Sequence, residues 1–376
     1  MPEKGGFPHF MLKEIFDQPK ALEDTIASRV SLVDAEVRIA DEIRIPADEL
    51  RALRRINIVA SGTSRHAGMA GQYMFQDLVQ LPVEVDYASE FEYRNPMIGG
   101  GEITIVITQS GETADTTAAQ REAKKKGSRT IAISNVVDST IAREADGVLY
   151  THAGPEISIA STKAFTAQMA VLFLFAAYLA QARKAVSPDA LREWIEELLA
   201  IARKAESVLK QSSACQRLAE RFHTFEDFLF LGRAIHYPIA MDGALKLKEV
   251  SYVHAEGYPT GETKHGPNAL IDEHLPVVII ATRDRNDAGS VLRYEKSVAN
   301  IRGFRQQSAQ VIAIATEGDS EIEALVDETI FVPESPELLS PILEIIPLQL
   351  FAYYMAVRKG LDVDRPRNRV KSVTRE

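Results

Sequence analysis

A lysine and a glutamate lie three residues apart in a segment with the periodicity of an α-helix. Segment 243–255 (GALKLKEVSYVHA) places Lys246 and Glu249 on one helical face, so that their side chains can share a site. Such a pair is most often a solvated ion pair. The next segment, 256–267 (EGYPTGETKHGP), favours a functional pair instead, because glycines and prolines bound a polar turn that contains His265. His265 is therefore a candidate acid or base, with Lys246 and Glu249 as candidates beside it.

Three clusters of Ser, Thr and Gly residues occupy positions where strand-like runs give way to helix-like segments. They are Ser61-Gly62-Thr63-Ser64, segment 108–116 (TQSGETADT) and segment 160–163 (ASTK). Hydroxyl and backbone N–H groups at the start of a helix can bind an oxyanion, so three such loops together favour a phosphate site. The alternative is that each cluster only caps its helix. Neither GxGxxG nor GxxxxGK(S/T) occurs at these loops, which argues against a nucleotide-binding loop.

Composition and charge restrict the partners. The chain has 376 residues, of which 45% are hydrophobic and 26% charged, and this is typical of a folded protein with about two domains. A formal net charge of -10 argues against nucleic acid, whose phosphates are bound by clustered Lys and Arg. Cys215 is the only cysteine, so an internal disulfide and a thiolate metal cluster are excluded. No spacing of His, Cys and Asp resembles a metal site, and we expect neither a metal nor a cofactor.

The most apolar segment is predicted to be a buried helix. Residues 164–182 contain Gln168 and Gln181 and lack the flanking charges of a membrane span. The N-terminus reaches charged residues before an apolar run develops, unlike a secretory signal. We therefore expect a cytoplasmic protein without a membrane partner.

Strand-like runs alternate with amphipathic segments along the chain. The first series begins at residues 56, 83, 103, 130 and 147, and the second at residues 228, 276, 309 and 329. This alternation is typical of βαβ units, so we predict an α/β fold with two similar lobes, each a flavodoxin-like, doubly wound parallel sheet flanked by helices. Such sheets bind ligands at the carboxyl ends of their strands, near the switch point of the strand order.

The predicted organisation has five parts. They are an N-terminal helical segment (1–48), a first lobe with the phosphate-binding loops (49–187), a helical connector (188–221), a second lobe with Glu249 and His265 (222–358) and a C-terminal tail (359–376). The tail ends in DRPRNRVKSVTRE. Tails of this kind are usually solvated, and this one gains a role only if it folds back over a sheet.

Taken together, the motifs resemble those of a known family. HFMLKEIFDQP near residue 9 is followed, in order, by SGTS, QSGETADT, ASTKAFT, GALKLKEVSY, HAEG, ETKHGP, DRPRN and KSVTRE. Over nearly the whole chain the sequence is similar to the isomerase half of glutamine:fructose-6-phosphate aminotransferase (glucosamine-6-phosphate synthase), a tandem pair of sugar isomerase (SIS) domains. The resemblance implies two SIS domains and an enzyme that converts fructose 6-phosphate to glucosamine 6-phosphate.

The resemblance also implies a role for each matching residue. Lys371 would form a Schiff base with the open-chain ketose, Glu249 would move a proton between C1 and C2, His265 would assist ring opening, and Lys246 would tune or relay protons. The phosphate and sugar would be bound by Thr63, Ser64, Thr108, Gln109, Ser110, Thr113, Ala160, Ser161 and Val370. Thr108 stands where the family usually has Ser, a change that keeps the hydroxyl group. In the family His265 reaches the site from the neighbouring subunit, so a homodimer with shared active sites is expected.

One part of the family pattern has no match in this sequence. The family enzyme carries an N-terminal glutaminase domain that begins with a nucleophilic Cys, whereas here the isomerase motifs start near residue 9. We therefore expect no glutaminase activity from this sequence. It then uses free ammonia, receives ammonia from a separate subunit, runs in the deaminating direction, or is only part of a longer gene product. Two alternatives stay open. The first is a glucosamine-6-phosphate deaminase or ketose/aldose phosphate isomerase of SIS type; the second is a non-catalytic sugar-phosphate sensor, which would lack Lys371, Glu249 and His265 and carry DNA-binding helices.

Overall fold

β-branched runs in each half of the chain assemble into a five-stranded parallel sheet. The computed structural model describes residues 3–374, so the last two letters of the KSVTRE motif, Arg375 and Glu376, lie outside the described residues. Within that range all nine strand-like runs form strands, and the prediction of an α/β fold with two doubly wound sheets is confirmed.

Short elements precede the first sheet. They are α1 (Phe10–Phe16), α2 (Gln18–Ile26), a 3₁₀ helix (Ala27–Arg29), β1 (Val30–Ser31), β2 (Glu36–Val37), α3 (Ala40–Ile43) and α4 (Ala47–Arg51). β1 and β2 form an antiparallel hairpin, whereas only helix was expected in this segment. Strands of two residues are too short for a period-two pattern to show in the sequence.

The first sheet is built from alternating strands and helices. Its elements are β3 (Arg55–Ala60), α5 (Gly62–Val79), β4 (Val83–Tyr87), α6 (Ala88–Phe91), β5 (Glu102–Thr108), α7 (Ala114–Lys125), β6 (Arg129–Ser134), α8 (Thr140–Glu144), β7 (Gly147–Tyr150) and α9 (Lys163–Arg183). The strand order is β4-β3-β5-β6-β7, and all neighbouring pairs are parallel. Every residue of β5 after Glu102 is buried, as expected for a strand covered on both faces. The order reverses between β3 and β5, so their carboxyl ends form the switch point.

The second sheet repeats this topology after a helical connector. The connector consists of α10 (Pro188–Leu209) and α11 (Ser212–Phe222). The elements that follow are β8 (Asp227–Gly232), a 3₁₀ helix (Ala234–His236), α12 (Tyr237–Ser251), β9 (His254–Pro259), two further 3₁₀ helices (Thr260–His265 and Pro267–Leu270), β10 (Val277–Ala281), α13 (Ala288–Gln306), β11 (Val311–Thr316), α14 (Ser320–Leu325), β12 (Glu328–Val332) and α15 (Ser340–Arg358). The order β12-β11-β10-β8-β9 places the second switch point between β8 and β10.

The sequence pattern did not reveal β9. This strand lies at the edge of the second sheet beside β8, and most of its residues are exposed or half-buried. An edge strand tolerates polar residues, Gly and Pro, which hide the period-two pattern. Segment 256–267, expected as one polar loop, therefore starts as a strand and continues as the 3₁₀ helix that ends at His265.

The described chain divides into two compact units that do not follow the order of the sequence. One unit contains the second sheet, with residues 3–19, 157–162 and 201–369. The other contains the first sheet, with residues 20–156, 163–200 and 370–374. The end of the tail therefore belongs to the unit of the first sheet.

Two helices, α9 and α15, are long and apolar enough to cross a membrane by length and composition alone. In the structure, 94% of the apolar window of α9 and 89% of that of α15 are buried. Helices that are apolar on all sides and enclosed by protein are core helices. This agrees with the prediction of a buried helix at residues 164–182.

Candidate active site

The first turn of α5 lies at the switch point of the first sheet. Gly62 starts the helix with a left-handed φ of +51°, and Thr63 and Ser64 follow in the first turn. Ser61 occupies the N-cap position but makes no side-chain capping bond, so the capping interpretation is not supported here. Ser64 Oγ accepts a hydrogen bond of 3.1 Å from Gln168 Nε2, which orients this hydroxyl. The turn thus presents hydroxyl groups at the positive end of an 18-residue helix.

The loop after β5 adds a second set of hydroxyl groups. Thr108 ends the strand, and its Oγ1 lies 3.0 Å from Oγ1 of Thr113. Thr113 occupies the N-cap position of α7, again without a side-chain capping bond. The carbonyl of Gln109 accepts a hydrogen bond of 3.1 Å from the backbone of Asn135, and Ser110 follows in the turn. The two hydroxyl loops therefore meet at one switch point of one sheet, as the sequence predicted.

The C-terminal tail is hydrogen bonded to this second loop. Ser372 Oγ lies 3.0 Å from Ser110 Oγ, and the backbone N–H of Ala114 donates to the carbonyl of Val373 at 3.1 Å. The second bond engages the first residue of α7, where backbone N–H groups have no partner within the helix. The tail thus folds back over a sheet, the condition under which its motif gains a role.

Lys371 forms an ion pair with a buried carboxylate of the same unit. Its Nζ donates to Glu156 Oε2 at 2.7 Å, with the Lys371 side chain 25% exposed and that of Glu156 fully buried. Glu156 Oε1 accepts a hydrogen bond of 3.2 Å from the backbone of Ala164, at the start of α9. A carboxylate at a helix N-terminus is stabilised by the helix dipole. Glu156 therefore fixes the amine of Lys371 at a defined point beside the hydroxyl loops.

In the unit of the second sheet, Lys246 and Glu249 form the pair predicted from their spacing on α12. Lys246 Nζ lies 2.6 Å from Glu249 Oε2, and the two side chains are 1% and 6% exposed, so this is not a solvated surface pair. Burial by itself would lower the pKa of Lys246, but the negative charges of Glu249 and Asp242 raise it above its ordinary value. Arg369 of the tail donates to the other oxygen of Glu249, Oε1.

The remaining candidate residues differ in burial and in the unit to which they belong. His265 is exposed at the end of its 3₁₀ helix, and among the described residues no hydrogen bond or ion pair joins it to Lys246 or Glu249. Ala160 is buried and Ser161 half-buried in segment 157–162, which belongs to the unit of the second sheet. Val370 is 62% exposed.

The switch point of the second sheet holds a buried ionic network in place of hydroxyl loops. His236 Nδ1 lies 3.0 Å from Glu344 Oε2, and its Nε2 lies 3.2 Å from Glu337 Oε1, which also accepts a bond from Arg293. Burial by itself would lower the pKa of His236, but the charges and hydrogen bonds of the two glutamates raise it to about 10. Thr282 directly follows β10, a position comparable to that of Thr108 at the end of β5 in the first sheet. Its hydroxyl group donates a hydrogen bond to Glu344. These groups bond to one another, whereas the first sheet has hydroxyl groups at a helix start, so the first sheet is the better candidate for the phosphate site.

Two residues that pair with candidate residues were missed from the sequence: Glu156, which pairs with Lys371, and Arg369, which pairs with Glu249. Glu156 follows the last strand of the first sheet, and an acidic residue in a loop at the carboxyl edge of a parallel sheet is a signal that could have found it. Arg369 lies among several arginines of the tail, and nothing in its local sequence distinguishes it from them.

Comparison with known proteins adds independent evidence. A model of the SIS domain family matches residues 49–178 and 226–359. The chain is 49% identical over 374 residues to the glutamine–fructose-6-phosphate aminotransferase (isomerizing) of Chlorobaculum tepidum, covering 100% of this chain and 59% of that protein. The protein of the same name from Thermus thermophilus is 48% identical over 374 residues, which are 100% of this chain and 60% of that protein. The chain thus spans about three fifths of the length of the curated relatives it matches.

A solved structure matches the chain along its length. The C-terminal domain of glucosamine-fructose-6-phosphate aminotransferase from Francisella tularensis aligns with a TM-score of 0.90 and 35% identity, over 97% of this chain and 100% of that one. Together with the sequence relatives, this match confirms the resemblance carried by the motifs.

Proposed function

The chain belongs to the SIS domain family, and from this premise we propose that it converts fructose 6-phosphate to glucosamine 6-phosphate by amination and isomerisation. The relatives described above are named as aminotransferases that act on fructose 6-phosphate, and one is a domain of matching extent. The hydroxyl loops supply the oxyanion-binding groups that a sugar phosphate requires.

The docked tail is the observation that carries this proposal. Ser372 and Val373 bond to the loop 109–114, so Lys371 is held beside groups suited to bind phosphate. An amine held next to an anchored phosphate meets the carbonyl of the same sugar repeatedly and in few orientations, which favours Schiff-base formation.

Binding of the substrate is assigned to the residues named from the motifs. We propose that the phosphate and the sugar hydroxyls contact Thr63, Ser64, Thr108, Gln109, Ser110, Thr113, Ala160, Ser161 and Val370. Ser61 and Thr113 occupy N-cap positions, but their side chains accept no capping bond from the backbone N–H groups of the helix. This supports the assignment for the two loops of the first sheet, because those helix starts can bind an acceptor other than their own caps.

The chemistry requires an amine nucleophile and a carboxylate base. Lys371 Nζ first gives up the proton of its ammonium form, for which Glu156 is the hydrogen-bonded acceptor. The free amine attacks C2 of the open-chain ketose and water leaves; ammonia then replaces the lysine, and with one proton taken up the product is a C2 iminium. A base takes the C1 proton; the C1–H electron pair forms the C1=C2 bond, and the C2=N pair moves to nitrogen. The proton returns to C2 as the C1 hydroxyl loses its own, which leaves an aldehyde and an amine. We assign the proton transfer to Glu249 and ring opening to His265, with Lys246 orienting the carboxylate of Glu249.

Trapping of the Schiff base tests the role of Lys371. Borohydride reduction in the presence of fructose 6-phosphate should attach the sugar to the peptide that contains Lys371, as read by mass spectrometry. The matched control is Lys371→Arg, which keeps the charge and should yield no adduct. Attachment at buried Lys246 or exposed Lys264 would overturn the assignment.

Three incubations separate the proposed activity from its alternatives. Fructose 6-phosphate with ammonium should give glucosamine 6-phosphate, while conversion to glucose 6-phosphate alone would favour a ketose/aldose isomerase. Release of ammonia from glucosamine 6-phosphate, without the forward reaction, would favour a deaminase. Glutamine should not replace ammonium for the chain of this sequence, because its one thiol, Cys215, is buried and burial raises its pKa to about 12. We propose that the nitrogen comes from free ammonia, from a separate subunit, or from a part of a longer gene product outside this sequence.

We also propose that the chain forms a homodimer in which His265 serves the partner's site. The exposed position of His265, with Leu270 nearby at 66% exposed, supports an interface on this surface. Mixing two inactive variants, Glu249→Gln and His265→Ala, should restore part of the activity, because some hybrid dimers regain one intact site. No recovery despite proven subunit exchange would place His265 within its own chain. A cytoplasmic location is proposed as well, in agreement with the burial of α9 and α15.

A further inference from the structure

The carboxylate assigned as the base lies in a buried group of charged residues on α12. Asp242 lies one helical turn before Lys246, and Glu249 lies three residues after it. All three residues are buried. A buried carboxylate depends on the groups bonded to it, because leaving it without them is costly. The bonds to Glu249 therefore set the direction in which its oxygens point.

Arg369 contacts this carboxylate from outside the helix. Its guanidinium donates to Glu249 Oε1, while Lys246 holds Oε2, so each oxygen of the carboxylate has its own cation. The side chain of Arg369 is 47% exposed, but the carboxylate that it contacts is only 6% exposed. Together the two cations hold the carboxylate in one orientation.

We propose that Arg369 is a positioning residue that keeps the carboxylate of Glu249 aligned for proton transfer. The inference rests on the proposed function, in which Glu249 moves the proton between C1 and C2. Arg369 acts through Glu249 and does not itself touch the reacting atoms. Because Lys371 follows two residues later, the same tail that delivers the nucleophile also completes the base.

The test compares Arg369→Met with Arg369→Lys in the ammonium-dependent reaction. Loss of this bond should lower kcat about tenfold or more, since a displacement of about 1 Å at a catalytic group can cost about 100-fold. KM for fructose 6-phosphate should stay within about threefold, and borohydride trapping at Lys371 should be unchanged, because neither depends on Glu249. With C1-deuterated substrate the isotope effect on kcat should increase in Arg369→Met, and Arg369→Lys should restore most of the rate.

Arg367→Met is the matched control for loosening of the tail. Arg367 stacks on Tyr252, with its guanidinium carbon 4.2 Å from the ring centroid, and its backbone N–H donates to the Tyr252 hydroxyl at 2.8 Å. If Arg367→Met lowers kcat as much as Arg369→Met, or if Arg369→Met raises KM with kcat unchanged, the proposal is wrong.

The double variant separates this inference from the proposed function. If Arg369 acts through Glu249, adding Arg369→Met to Glu249→Gln should cost no further rate. A second, additive loss would refute the role of Arg369. Near-normal turnover of Glu249→Gln alone would instead refute the proposed base, whatever Arg369 does. A low kcat for Glu249→Gln together with a normal kcat for Arg369→Met would refute only the role of Arg369.

Discussion

Replacing Gly111 by Ala should distort the loop that is proposed to bind phosphate. Gly111 has a φ of +70°, a left-handed conformation that costs a residue with a Cβ about 1–2 kcal/mol. A Cβ at this position would lie 2.0 Å from Oγ and 2.3 Å from Cβ of Ser139, and overpacking of this kind costs about 1–3 kcal/mol. Ser139 is 2% exposed, so it has little room to move away. The sum, about 2–5 kcal/mol, acts against the loop conformation that carries Ser110 and Thr113, and we expect part of it to appear as lost substrate affinity.

The assay is the KM for fructose 6-phosphate in the ammonium-dependent reaction, with urea unfolding as the measure of stability. We expect the KM of Gly111→Ala to rise about 10- to 100-fold, since each 1.4 kcal/mol of lost binding is a factor of ten. Gly127→Ala is the control: its φ is +87°, but the nearest atom to the new Cβ, Gly100 N, is 3.8 Å away. This variant should lose about 1–2 kcal/mol of stability and keep its KM.

A second change separates the clash from the backbone strain. Ser139→Gly removes the two nearest atoms that crowd the new Cβ and leaves Ser134 Oγ at 3.0 Å, so the double variant Gly111→Ala/Ser139→Gly should regain most of the affinity that the clash removed. An unchanged KM in Gly111→Ala would refute the assignment of this loop to phosphate binding. So would a rise of equal size in Gly127→Ala, which would trace the effect to general destabilisation.

The ionic network of the second sheet and the Thr108 hydroxyl lead to two more predictions. His236→Gln should destabilise the protein by about 3–5 kcal/mol at pH 6.5, because it leaves Glu337 and Glu344 buried without that cation. The pKa of His236 is raised from 6.5 to about 10, so its contribution to the free energy of unfolding is complete below pH 6.5 and is lost as the pH rises towards 10. The difference in the free energy of unfolding between wild type and variant, measured by urea unfolding, should therefore shrink over that range. A constant difference would contradict the raised pKa. Thr108→Ser should keep the KM within about threefold because the hydroxyl remains, whereas Thr108→Val should raise it about tenfold; equal KM values would remove this hydroxyl from the binding set.

Much of the fold could be predicted because its signals are local. The runs of β5 and its neighbours show the strand pattern within six or seven residues, and the helices between them show their own period. β9 and the β1–β2 hairpin could not be predicted, since an edge strand tolerates Gly, Pro and polar residues and a two-residue strand has no period. The hydroxyl loops and the pair of Lys246 with Glu249 were visible for the same local reason, because each is confined to one turn or one helical face.

The sequence by itself determined the α/β architecture, the positions of the hydroxyl loops, and the residue types available for Schiff-base and proton-transfer chemistry. Only the tertiary structure decided which charges meet. Lys371 pairs with Glu156 across 215 residues of chain, and Arg369 pairs with Glu249 across 120 residues. Periodicity and spacing report neighbours within about one helical turn or a few strand residues, so they carry no information on contacts of this range. Such contacts exist because burial makes an unpaired charge costly, and the fold brings a partner of opposite charge to each one.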